Sequence, residues 1–197
     1  MTHLIGICGY AGVGKTTAAE YLSENYDYMP LAFADPLKEA CAAAFGIPLN
    51  NFHSPELKEQ IDTFWGVSPR KIAQFVGTEM FRNLSNELLS GIDTNFWIAR
   101  LQKEIATNSY SKVVVSDVRF QNEVDWVVKS GGWILHIIRP GKHGNVGISK
   151  DGKVHASEQI NSLALNLAKT YTVYNIHDLT VFYSTLDNFI NVTQLHR

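Results

Sequence analysis

Cysteine is nearly absent from this chain, with two residues in 197, Cys8 inside LIGIC and Cys41 inside EACAAAF. Both lie in apolar surroundings, where a reduced thiol packs like a small hydrophobe, so no disulfide is expected and a cytoplasmic protein is. No apolar run approaches the ~20 residues needed to span a bilayer, and MTHLIGIC shows neither a basic n-region nor a cleavage site. Neither membrane insertion nor secretion is expected. An excess of one charge is also missing, since 17 Lys and Arg face 19 Asp and Glu for a net charge of -2. That excludes a general attraction for polymeric nucleic acid or an anionic membrane, so any phosphate binding must be local. Repeats, low-complexity tracts and Pro/Ser-rich linkers are lacking too, which leaves one domain over residues 1–197 as the expectation.

What is present is core-forming material, 45% hydrophobic against 18% charged. Short apolar runs suited to buried parallel strands are LIGIC (4–8), YMPLAF (28–33), KVVVSD (112–117), WILHII (133–138) and YTVYNI (171–176). Helical patterns fill 15–25, 36–45, 69–90, 93–107, 120–130, 158–169 and 178–191. The alternation forces crossovers, so the prediction is an α/β three-layer fold around a five-stranded parallel sheet. Two excursions interrupt it: 46–68, with Pro48, Pro55, Gly46 and Gly66, and 140–157, PGKHGNVGISKDGKVHAS.

The stretch GYAGVGKTTAAEYL places Gly9, Gly14, Lys15 and Thr16 in the pattern G-x-x-x-x-G-K-[ST], between a strand-like run and a helix-like one. Glycines let the backbone curl until successive N–H groups converge, and the next helix adds its positive end, so the loop should take a phosphate chain. Gly12, Val13, Gly14, Lys15, Thr16 and Thr17 are the candidate ATP-binding residues. Lys15 is expected to reach the β- and γ-phosphates, and the Thr16 hydroxyl is expected to join the shell of Mg²⁺. The base-reading string N-K-x-D and a D-x-x-G after a strand are both absent, which argues against a GTP switch and for a kinase of small molecules.

Other candidates fall where strands should end. Asp117 and Arg119, in VVVSDVRFQNEVDWV, either act at Mg²⁺ and a phosphate or form a plain structural pair. Asp35 and Lys38, in LAFADPLKEA, serve either an acceptor or metal, or, for Asp35, a helix N-cap ahead of Pro36. In SPRKIAQFVGTEMFRN, Ile72, Phe75, Val76 and Met80 form an apolar face, while Arg70, Gln74 and Thr78 recur in steps of four on another. Arg70 and Arg82 are candidate anion binders and Gln74 a candidate reader of a base edge, although a solvated helix face gives the same pattern. In the second excursion Lys142, Lys150 and Lys153, with His155 and Glu158 at the hinge, could close over ATP or could decorate a surface hairpin.

Together GYAGVGKTTAAEYL, FADPLKEA, RKIAQFVGTEMFR, FWIARL, VVVSDVRFQNEVDWV, IIRPG and HASEQ make the chain resemble the deoxynucleoside monophosphate kinases of tailed bacteriophages. The resemblance implies a P-loop kinase-like fold, with 46–90 as an acceptor-binding helical excursion and 140–157 as a lid. It implies transfer of the ATP γ-phosphoryl to a deoxynucleoside 5′-monophosphate, with Mg²⁺ on the donor phosphates, in a homodimer working in host cytoplasm. Lys15 and Thr16 would then serve ATP and Mg²⁺, Arg70, Gln74, Arg82 and Arg119 the acceptor, and Arg139 the ATP or lid side. One departure is that 141–157 lacks the lid arginines common in cellular nucleoside monophosphate kinases, so Arg119 or Arg139 would stand in. Phosphomevalonate and dephospho-coenzyme A kinases share parts of the pattern, and a non-catalytic ATP-binding protein is a further alternative.

Overall fold

The Val- and Ile-rich runs form strands and the segments between them helices. The computed structural model describes residues 2–141, 164–165, 167–176 and 178–193. Its elements are β1 (His3–Cys8), α1 (Lys15–Tyr26), β2 (Met29–Leu31), α2 (Asp35–Phe45), α3 (Asn50–His53), α4 (Pro69–Gln74), a π-helix (Phe75–Asn83), α5 (Ser85–Leu88), α6 (Phe96–Asn108), β3 (Lys112–Val115), α7 (Gln121–Lys129), β4 (Trp133–Ile138), β5 (Thr170–Tyr174) and α8 (Leu179–Thr193). Short 3₁₀ turns occupy Leu57–Glu59 and Leu167–Lys169. The chain divides into two units, one of Met1–Ala32 with Ile105–Arg197 and one of Phe33–Glu104.

The first unit holds the sheet. Its strand order is β2-β3-β1-β4-β5, and every pairing is parallel, with His3 opposite Lys112, Ile5 opposite Trp133 and Ile134 opposite Thr170. β1 takes the centre, and its neighbours β3 and β4 are joined to it by the long crossovers that parallel pairs need. β2 is shorter than the apolar run 28–33 because it is an edge strand, where Pro30 costs no ladder bond on its open side. The core beneath the sheet is Ile5, Ile7, Leu22, Val114, Leu135, Ile137, Phe182, Leu186, Phe189 and Ile190, all essentially inaccessible to water. Each such side chain contributes about 1.5–3 kcal/mol over an exposed one. α1 stops at Asp27, whose left-handed φ of 60 and N–H bond to Leu22 O close the last turn.

The second unit is helical. Residues 69–90, expected as one helix, break into α4, the π-helix and α5. Ser68 caps α4 by accepting from Lys71 N, with Pro69 in the first turn. Trp97 Nε1 donates to Gly77 O at 3.0 Å, and Phe81, Phe96 and Trp97 form a ring cluster below the π-helix. A Cβ at Gly77 would stand 2.5 Å from Leu37 Cδ2, so glycine is what lets α2 approach. The apolar face expected at Ile72, Phe75, Val76 and Met80 is only half right: Ile72 is buried, but Phe75 and Met80 are 59% and 47% exposed. An i→i+5 ladder rotates side chains away from the 3.6-residue register that the expectation assumed.

No helix among the described residues is long and apolar enough to cross a membrane. Both cysteines are free and buried.

Candidate active site

The phosphate-loop motif leaves β1 at Gly9 and enters α1 at Lys15. Gly9, Gly12 and Gly14 have φ values of 146, 74 and 106, conformations that a side chain would strain. A Cβ on Gly9 would also collide with the backbone oxygen of Ile137, whereas one on Gly12 would meet open space. The helical ladder begins with Ala18 N donating to Gly14 O at 3.0 Å, so the Thr16 and Thr17 amides precede it. Lys15 folds back over the loop, its Nζ donating to Gly9 O at 2.9 Å and Tyr10 O at 2.8 Å.

Burial pushes the Cys8 thiol up to about 12, against a smaller lowering by the Lys15 charge. His136, opposite Cys8 in the sheet register, is pulled below its usual range by burial. Both groups at the root of the loop are therefore uncharged at pH 7, and its positive character comes from Lys15, the backbone amides and the start of α1. A glycine-lined curl with an ammonium above it fits a phosphate chain.

Neighbouring strand ends gather further candidates. Ser116 N donates to Leu31 O at 3.0 Å and Val118 N to Ile7 O at 3.1 Å, which carries Asp117 and Arg119 past the end of β3 beside the root of the loop. Glu123, only 2% exposed, accepts from Arg119 N at 2.7 Å and Phe120 N at 3.1 Å, and so fixes the backbone from which Arg119 projects. Arg139 follows β4, and Asn175 follows β5, with Asn175 N donating to Ile138 O at 2.8 Å. The Asn175 side chain reaches the loop itself, Nδ2 donating to Val13 O at 2.8 Å.

The other candidates belong to the second unit. Ala34, not Asp35, is the N-cap of α2; Asp35 stands in the first turn and pairs with Lys38 at 3.1 Å. Arg70 pairs with Glu59, Gln74 closes α4, and Thr78 lies in the π-helix. Arg82 is buried and donates from Nη1 to Thr94 O at 3.3 Å, so it does not lie on a solvated face. Glu158, Lys142, Lys150, Lys153 and His155 lie outside the described residues, as does most of the expected helix 158–169. Among the described residues no group of three or more His, Cys, Asp and Glu is disposed to hold a metal by itself.

Glu123 and Asn175 were not singled out from the sequence. Glu123 had a signal, an acid three residues into a helix, and Asn175 had a weaker one, a side-chain amide at the end of an apolar strand.

Over 205 aligned residues the chain is 35% identical to a protein of Acanthamoeba polyphaga mimivirus provisionally named deoxynucleotide monophosphate kinase, covering 98% of this chain and 99% of that one. The chain belongs to the deoxynucleotide monophosphate kinase family. A second relative in this family, the deoxynucleoside-5′-monophosphate kinase of Escherichia phage T5, is 40% identical over 57 residues, 29% of this chain and 20% of its own length. No protein-family model matches. Among solved structures, a sugar kinase of Janibacter sp. HTCC2649 aligns with a TM-score of 0.50 at 16% identity, covering 99% of this chain and 96% of that one. A Chloroflexus aurantiacus protein provisionally described as a kinase gives 0.50 at 13%, covering 98% of both. These two likenesses show an α/β kinase fold.

Proposed function

We propose that this chain transfers the γ-phosphoryl group of ATP to a deoxynucleoside 5′-monophosphate, giving the diphosphate and ADP. The observation that carries the reading is the loop Gly9–Thr17, with its three positive-φ glycines and Lys15 folded over it at the carboxyl end of a parallel sheet. Membership of the deoxynucleotide monophosphate kinase family supplies the acceptor class.

A monophosphate has a second pKa of about 6, so its attacking oxygen is already ionised and needs no general base. That oxygen forms a bond to the γ-phosphorus as the bond to the β,γ-bridging oxygen breaks, and the electron pair leaves on ADP. Gly12, Val13, Gly14 and Thr17 supply backbone to the phosphate chain, and Lys15 neutralises it. Thr16 offers its hydroxyl to Mg²⁺, which when bound cancels charge on the donor phosphates. Arg119 meets the charge of the transferred group, Asp117 steadies Arg119 or the ion's water, and Arg139 attends the donor side.

For the acceptor we assign Arg70, Gln74, Thr78 and Arg82, with Asp35 and Lys38. The Arg70–Glu59 and Lys38–Asp35 pairs are partly exposed, so exchanging a carboxylate for a phosphate costs only about 0–1 kcal/mol of ion pairing. Arg82, buried and donating to Thr94 O, also steadies the segment that presents the others.

The test is ADP release from Mg-ATP with the four deoxynucleoside monophosphates, the ribonucleotides, phosphomevalonate and dephospho-coenzyme A in parallel. Turnover with deoxynucleotides that Lys15→Ala abolishes is the expected result. Turnover with a non-nucleotide acceptor alone would overturn the assignment of Arg70, Gln74 and Arg82.

A further inference from the structure

Asn175 is 6% exposed, and its side-chain amide is spent on the phosphate loop, Nδ2 donating to the carbonyl of Val13 at 2.8 Å from a position 162 residues away. A carbonyl can take only the NH₂ end of the amide, so chemistry fixes which atom points at the loop. Asn175 is itself held, its own N–H donating to Ile138 O at 2.8 Å. The fit is close: a Cβ on Gly14 would stand 2.7 Å from Asn175 Nδ2 and 3.7 Å from the Phe182 ring.

The consequence lies in the peptide between Val13 and Gly14. No described peptide bond is cis, and in a trans peptide the C=O and the following N–H point in opposite directions. Drawing Val13 O inward to a buried donor therefore aims the Gly14 N–H outward, toward the hollow of the loop. A peptide turned the other way would present a carbonyl oxygen to an anion and leave the inner face without an acceptor. Gly14, at a φ of 106, offers little steric resistance to such a turn, so the side-chain bond must hold the orientation.

We infer that Asn175 is a positioning residue of the phosphate site, setting the peptide between Val13 and Gly14 so that its N–H faces the triphosphate. The inference rests on the reading of this loop as the ATP site. It assigns Asn175 to the phosphate chain rather than to the nucleobase or the acceptor.

The experiment is calorimetric titration of the full chain with Mg-ATP and with Mg-tripolyphosphate, for wild type, Asn175→Ala and the nearly isosteric Asn175→Asp, alongside thermal melts and steady-state kinetics. Asn175→Asp keeps the shape while replacing the donor by an acceptor. Both variants should bind Mg-ATP about tenfold or more weakly, as expected for a lost, net-favourable hydrogen bond. The loss should be equal for tripolyphosphate, which has no base, and KM for the acceptor should stay within about twofold. A loss confined to ATP would overturn the inference by moving Asn175 to the base. Lower melting temperatures with both affinities unchanged would overturn it by leaving only a structural role. Because binding is read without turnover, a wild type that binds Mg-ATP but phosphorylates no deoxynucleotide defeats the proposed function while the titrations still decide Asn175. A wild type that binds neither ligand defeats both.

Discussion

Single residues in this protein act mostly through the backbone they hold. Glu123 is the clearest case, a buried carboxylate whose Oε2 takes the N–H groups of Arg119 and Phe120. Glu123→Gln keeps the shape but weakens both bonds, so stability should fall by about 1–3 kcal/mol in denaturant titrations. kcat/KM should fall with it, and Arg119→Ala should lower kcat/KM by about 100-fold. An Arg119→Ala enzyme within a few-fold of wild type would remove that residue from the mechanism. The thiols make a second test, since burial holds Cys8 at about 12 and Cys41 at about 11 against an ordinary 9.0. At pH 8 neither should react rapidly with a thiol reagent in the native state, and both should do so in denaturant. The loop residues were legible in the sequence because their contacts are local and their spacing is dictated by a phosphate chain. Asn175 was not, because the bond that gives it meaning spans nearly the whole chain and a lone asparagine at a strand end has no pattern.

At the scale of elements, strands read best. All five apolar runs became strands: burial leaves a continuous hydrophobic signature in the inner strands β1, β3 and β4, while the edge strands β2 and β5 keep apolar residues although they are largely exposed or half-buried. The mid-chain helix read worst, because a 3.6-residue periodicity cannot register an i→i+5 ladder, and the apolar face expected to include Phe75 and Met80 leaves both exposed. The difference can be measured. Phe75→Ser and Met80→Gln should each shift stability by no more than about 0.5 kcal/mol, whereas Ile72→Ala should cost about 2–4 kcal/mol. Core-sized losses at Phe75 and Met80 would restore the regular-helix register. Gly77→Ala places a methyl against buried Leu37 and should cost about 1–3 kcal/mol, read from the urea midpoint.

For the molecule as a whole, the resolved shifts of its buried or half-buried thiols and tyrosines share one sign. Cys8, Cys41 and Tyr28 are raised by desolvation, and Tyr21 and Tyr26 are raised to about 12 by desolvation and then by the shared hydrogen-bond partner Asp187. A raised folded pKa means that the unfolded chain releases these protons first. Stability should therefore be fully present below about pH 9 and decline from there through pH 12, a fall that denaturant midpoints taken at rising pH would reveal. A flat profile across that window would mean that these groups stay open to water in the folded protein.

The strand order has a consequence for how the protein is made. The phosphate loop begins at residue 9, yet its wall is the backbone of Ile137 and its brace is Asn175. A ribosome therefore releases the motif well before it completes the site, since 162 residues of chain separate the loop from its brace. Until Ile137 and Asn175 have been made, the glycine loop lacks the wall and the brace that shape it for a nucleotide. Arrested nascent chains with Asn175 still inside the exit tunnel should gain no protease protection from Mg-ATP, and chains arrested on a C-terminal extension that brings all of α8 outside the tunnel should gain it.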